Sequence, residues 1–129
     1  MLVEDEPSLV AMYRLAFEKS PFDFQIAENA EDAFEKAQEN MPDIILLDIF
    51  IPASSHESID FTKREGFEVL DALRANSQLR NTPVLVLTNL DSPQDKIRAQ
   101  DLHVVDYILK TNILPKEVVT RVSEILSKV

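Results

Sequence analysis

Two stretches of this chain are apolar without interruption: Ile44-Ile45-Leu46-Leu47, set between Asp43 and Asp48, and Val84-Leu85-Val86-Leu87, set between Pro83 and Thr88. A strand with one face in water alternates apolar and polar residues. These do not alternate, so both faces must be covered, as in a central strand of a parallel sheet. The segments around them keep a helical period instead. Leu9, Met12, Tyr13 and Ala16 follow Pro7, whose missing N–H suits a first helical turn. Ala30, Ala33, Phe34 and Ala37 follow Asn29, a good N-cap. Gly66, Val69, Leu70 and Leu73 mark a third helix. Asp91 or Ser92 before Pro93 begins a fourth, with only Ile97, Ala99 and Leu102 as anchors, so weak attachment is expected. Pro115 opens a fifth, with Val118, Val122, Ile125 and Val129 facing inward.

Three further strands complete the pattern. Met1-Leu2-Val3 reads as a short buried strand ending at Glu4. Phe22 to Ala27 alternates and reads as an edge strand, and Val104 to Leu109 reads as the last strand. Strand and helix therefore alternate five times over 129 residues. That is the pattern of one α/β domain, residues 1–129, with a parallel sheet covered on both faces. The one long irregular segment is 53–65. The row Val10, Tyr13 and Phe17 is assigned to core packing rather than to a docking face.

Composition removes several kinds of chemistry. Asp plus Glu number 23 against 13 Lys plus Arg, a formal charge of −10, which disfavours direct nucleic-acid binding. With no cysteine there is no disulfide, thiolate metal site or cysteine nucleophile, and two histidines, His56 and His103, make no multi-histidine centre. Gly66 is the only glycine, so no glycine-rich phosphate loop can be written. No apolar run reaches the ~18 residues of a membrane span, and a cytoplasmic protein without a membrane segment is expected.

In open parallel sheets, ligands bind beyond the carboxyl ends of the strands. Glu4 and Asp5 lie at the end of the first strand, Asp48 of the third, Thr88 of the fourth and Lys110 of the fifth. Crowded carboxylates need a cation or a raised pKa. An all-oxygen set suits a hard ion such as Mg²⁺. A carboxylate can also act as a nucleophile and carry phosphorus. Asp48 is then the acceptor, Glu4 and Asp5 hold the metal, and Lys110 and Thr88 bind phosphoryl oxygens.

The pieces Leu2-Val3-Glu4-Asp5-Glu6-Pro7, Pro42 to Asp48 with Pro52 four residues on, Pro83 to Thr88, and Asp106-Tyr107-Ile108-Leu109-Lys110 occur in this order over essentially the whole chain. In this the chain resembles response-regulator receiver domains of the chemotaxis-regulator type. The resemblance implies a flavodoxin-like, doubly wound five-stranded sheet of order 2-1-3-4-5 with five helices. It implies a two-component partner, a sensor histidine kinase or histidine phosphotransfer protein, that donates a phosphoryl group to Asp48. It also implies Mg²⁺ held by Asp5, Asp48, the backbone carbonyl of Phe50 and, through water, Glu4. Thr88, Asn89, Lys110 and Tyr107 then form the phosphoryl-binding and switch group. The downstream target is left open, as is the choice between a monomer and a phosphorylation-dependent dimer.

Some positions depart from that family. The segment after Pro52 is roughly ten residues longer than usual before the third helix. Thr111 follows Lys110 where proline is common, so no cis bond is expected there. His103 and Val104 stand where glycine and alanine are usual, and Asn89 where a smaller residue is commoner, narrowing access to the acceptor. Phe50 is placed to exclude hydrolytic water. Ile59 and Phe61 suggest a contact near Asp48 in a segment otherwise read as a solvated loop. The first strand starts early, as if a few residues preceded it, and an output domain after the fifth helix is not expected from these residues. That leaves a stand-alone regulator, a relay intermediate or a piece of a longer protein. Two other readings compete with this one. A haloacid-dehalogenase-type phosphatase needs an aspartate where Phe50 stands, and a pseudo-receiver would bind partners without phosphorylation.

Overall fold

The computed structural model describes residues 1–128. The strands are β1 (Leu2–Val3), β2 (Ile26–Ala27), β3 (Ile45–Asp48), β4 (Val84–Thr88) and β5 (Asp106–Leu109). The helices are α1 (Pro7–Glu18), α2 (Ala30–Asn40), α3 (Glu65–Ala75), α4 (Pro93–Asp101) and α5 (Pro115–Ser127), with a 3₁₀ turn at Lys110–Asn112. All strands are parallel, in the order β2-β1-β3-β4-β5 expected from the resemblance.

The uninterrupted apolar runs have the cause the sequence implied. Ile45, Leu47, Val84 and Val86 join one core cluster with residues of α2, α3 and α4. Their neighbours Ile44, Leu46, Leu85 and Leu87 join a second with Tyr13, Phe17, Val118, Val122 and Ile125 from α1 and α5. Successive side chains point to opposite faces of a strand, and each face is roofed by helices.

Several boundaries differ from the sequence reading. β2 covers only Ile26–Ala27. Phe22 and Phe24 leave the ladder to pack on Phe17, with ring centroids 6.5 and 5.3 Å away. On α1 the buried residues are Tyr13 and Phe17, whereas Met12 is half exposed because it lies on the edge of the stripe. Val129 lies outside the described residues.

The fourth helix is held differently from expectation. Ile97 is 58% exposed, and Ala99 is the one fully buried apolar anchor within α4. Charge supplies the rest. Arg64 Nε donates to both carboxylate oxygens of Asp95 (2.8 and 2.9 Å), and Asp95 is buried. Arg98 reaches Asp71 at 3.1 Å and lies 4.4 Å over the Phe67 ring. After α4, His103 has φ 58°, the left-handed region that glycine adopts without a Cβ penalty. Glycine is the residue the resemblance implied at this position. No cis peptide bond occurs among the described residues.

Candidate functional site at the carboxyl edge of the sheet

Strand register brings the acids together. Val3 pairs with Leu47, so the residue that follows each, Glu4 after β1 and Asp48 at the end of β3, meets its neighbour at the carboxyl edge of the sheet. Thr88 pairs with Leu109, which sets Lys110 just past the same edge. Glu4, Asp5 and Asp48 each offer a carboxylate oxygen within 4.8 Å of the others. Lys110 Nζ donates to Asp48 Oδ2 at 2.7 Å and also to Glu4 Oε1. Three carboxylates thus face a single ammonium, and Glu4, Asp48 and Lys110 are all nearly closed to solvent.

The electrostatics follow from that crowding. Burial pushes the Asp48 carboxyl up; Lys110 pulls it back, Glu4 adds repulsion, and the balance lies well above the usual carboxylate range, at about 7. Asp5 is raised by burial first and by Glu4 second. Burial alone would lower the Lys110 ammonium, but Asp48 and Glu4 more than offset it and the net shift is upward. The cluster is short of positive charge. Its donors are all oxygen and lie close enough to share one ion, a set that fits a hard divalent cation of the Mg²⁺ kind.

Glu6, adjacent in sequence, is not part of the cluster. Its carboxylate caps α1, accepting from the Ser8 amide (3.2 Å) and the Leu9 amide (2.8 Å). Glu4 is turned inward, and its other oxygen accepts from the amides of Asp5 (3.1 Å) and Glu6 (3.3 Å).

A cavity of about 460 Å³ opens over the acids, and Phe50, Asn89 and Lys110 also line it. The Phe50 amide donates to Asp48 Oδ1 at 3.1 Å. Asn89 is exposed at the rim. Thr88 is fully buried and is not among the lining residues; its hydroxyl accepts from the Leu90 amide at 3.2 Å. Tyr107 is half-buried beside Thr88, and its hydroxyl donates to the Leu90 carbonyl at 3.1 Å. Burial, then Asp95, raises the Tyr107 phenol.

Two residues near the site escaped sequence reasoning. Arg64 lies 5.3 Å over the Phe50 ring while holding Asp95, so it spans from the cavity wall to α4. The signal Ser92-Pro93-Gln94-Asp95 looks like a helix-start pattern, and the Asp95 amide does donate to Ser92 Oγ (3.2 Å), but its carboxylate serves Arg64 instead. Gly66 has a structural use specific to this place. A Cβ there would fall 2.5 Å from the Asp48 carbonyl oxygen and 2.6 Å from Ile49 Cα. Both are backbone atoms, so no side chain can swing aside. Gly66→Ala is expected to cost about 1–3 kcal/mol, read as a lower urea midpoint. An unchanged midpoint would show that α3 shifts freely against the end of β3.

Comparison with known proteins agrees with this architecture. The family model described as the response regulator receiver domain matches residues 1–123. The alkaline phosphatase synthesis transcriptional regulatory protein PhoP of Bacillus subtilis is 34% identical over 99% of this chain and 48% of its own length. Among solved structures, the BeF3-activated N-terminal receiver domain of Klebsiella pneumoniae RstA is 27% identical, with a TM-score of 0.75 over 97% of this chain and 95% of that one. The Mn(2+)-bound form of response regulator Rcp1 is 29% identical, with a TM-score of 0.72 over 98% of this chain and 89% of that one. The chain belongs to the response regulator receiver domain family. It spans about half the length of the curated relatives it matches. No helix among the described residues is long and apolar enough to cross a membrane.

Proposed function

We propose that residues 1–129 act as one receiver unit that accepts a phosphoryl group on Asp48 from a sensor histidine kinase or histidine phosphotransfer protein, with Mg²⁺ bound. The observation that carries this is the cluster itself: Glu4, Asp5 and Asp48 oxygens within 4.8 Å of one another, with Lys110 bonded to Asp48. Asp5, Asp48 and the Phe50 carbonyl would hold the ion, with Glu4 acting through water. When bound, the ion supplies positive charge where the carboxylates and the incoming phosphoryl oxygens meet.

The chain's own groups do the remaining work. An Asp48 carboxylate oxygen bonds to phosphorus. The phosphorus–nitrogen bond of the donor phosphohistidine breaks, and its electron pair returns to the imidazole, which takes up a proton. Lys110, a compact ammonium already 2.7 Å from Asp48, turns to a phosphoryl oxygen. The Thr88 hydroxyl exchanges its Leu90 amide for the phosphoryl group. Tyr107, freed from Leu90, then moves inward, and the surface of α4, β5 and α5 changes what it binds. Relatives that are transcriptional regulators support an output of this kind, as does the Mn(2+)-bound neighbour for the metal.

The test is direct. The protein is incubated with acetyl phosphate, with Mg²⁺ or with a chelator, and its intact mass is followed. A hydroxylamine-labile phosphoryl adduct is expected with Mg²⁺, forming more than about 10-fold slower with chelator. Donor turnover without an adduct would indicate a phosphatase instead. Failure with every donor would leave a binding module that works unphosphorylated.

A further inference from the structure

The segment between Pro52 and Glu65 is mostly polar, yet its Ile59 and Phe61 both line the acidic cavity. Phe61 is 70% exposed, and its ring nonetheless sits 6.1 Å from the Phe50 ring, tilted by 38°. Both ends of the segment are tied down. At one end of the segment the Ala30 amide donates to the Pro52 carbonyl (2.9 Å) and the Glu31 amide to the Ala53 carbonyl (3.0 Å). At the other end Arg64 is fixed by Asp95 and covers Phe50. Beside Phe61, the Thr62 amide donates to Asp60 Oδ1 (2.9 Å) and the Lys63 amide to the Asp60 carbonyl (3.0 Å), a tight local turn.

We infer that Phe61, with Ile59 beside it, is a water-excluding residue that sets how long a phosphoryl group stays on Asp48; this rests on the acceptor role proposed above. Loss of the group is hydrolysis. A water oxygen bonds to phosphorus, and the bond from phosphorus to the Asp48 oxygen breaks. The electron pair returns to the carboxylate, and the proton from water leaves with the phosphate. The attacking water must sit in line with the breaking bond, inside the cavity. Apolar side chains on the cavity wall offer it no hydrogen bond and take up its space. Because most of the Phe61 surface already faces solvent, removing the ring leaves the core intact.

The protein is loaded with acetyl phosphate and Mg²⁺, the donor is removed, and decay of the adduct is followed by intact mass. Phe61→Ala is expected to decay roughly 3- to 10-fold faster than the unchanged protein, with the same urea midpoint. Phe61→Leu, which keeps apolar bulk, is expected within about twofold of it. An adduct that forms normally but decays from Phe61→Ala at the original rate overturns the inference and leaves the acceptor role standing. Equal acceleration in Phe61→Leu overturns it too, since apolar bulk is then not what counts. If the unchanged protein forms no adduct, the acceptor role fails and the inference fails with it.

Discussion

Asp48→Asn is expected to take up no phosphoryl group under conditions that load the unchanged protein, and also to flatten the pH dependence of stability in the absence of metal. The first effect follows because an amide oxygen is a poor nucleophile and, among the described residues, Lys110 bonds no other carboxylate except the metal-side Glu4. The second is a linkage effect. Burial, partly offset by Lys110, raises the Asp48 carboxyl to about 7, against about 3.9 for a free aspartate. Between those values the folded protein binds more protons than the unfolded chain. Stability therefore falls as pH rises through that window, and what is lost is fully present only below the unfolded value. Asparagine carries no such proton. The loss of stability between pH 4 and 7 should shrink by about 1–3 kcal/mol, measured by urea unfolding in chelator, with a remainder from Asp5. An adduct on the asparagine variant would move the acceptor elsewhere. An unchanged slope would show that the buried carboxyl is not strained.

Lys110→Ala is expected to be the most destabilising single change at this edge of the sheet. The ammonium is bonded to both Glu4 and Asp48, and all three side chains are at least nine-tenths buried. Removing one member of a buried ion pair leaves an uncompensated charge and typically costs about 3–5 kcal/mol. At pH 8 without metal the loss should approach that range. At pH 5 it should be smaller, because Asp48 and Asp5, both raised, can take protons instead of standing charged. Added Mg²⁺ should recover more stability in this variant than in the unchanged protein, since binding to the folded state alone stabilises it and the variant has the larger excess of negative charge. A loss below about 1 kcal/mol at pH 8 would mean that the carboxylates relax into solvent once the lysine is gone.

Much of this arrangement was legible from residue order. The runs Ile44–Leu47 and Val84–Leu87 report strands with two covered faces, and both core clusters take alternate residues from them. Asn29 caps α2 through the Asp32 amide as its position suggested. Glu4, Asp5, Asp48 and Lys110 stood at strand ends, and parallel strands of one direction must deliver them to one edge. Phe22 to Ala27 misled because alternation there reflects Phe22 packing edge-on and Phe24 stacking on Phe17 of α1 rather than a ladder. α4 misled in the other direction. Its apolar anchors are few, but Arg64 and Asp71 hold it through charges that no period reveals.

Periodicity, then, settled the order of elements, the doubly covered sheet and the rim on which the acids and Lys110 emerge, because side-chain period responds directly to which faces are buried. Only the folded molecule decided that Glu6 caps a helix while Glu4 turns inward, and that Thr88 is shut beside Tyr107. The same holds for the path of the segment after Pro52, which brings Phe61 over Phe50 and Arg64 to Asp95. Those choices depend on contacts between residues far apart in the chain, made through strand register and an irregular segment that has no repeating pattern to read.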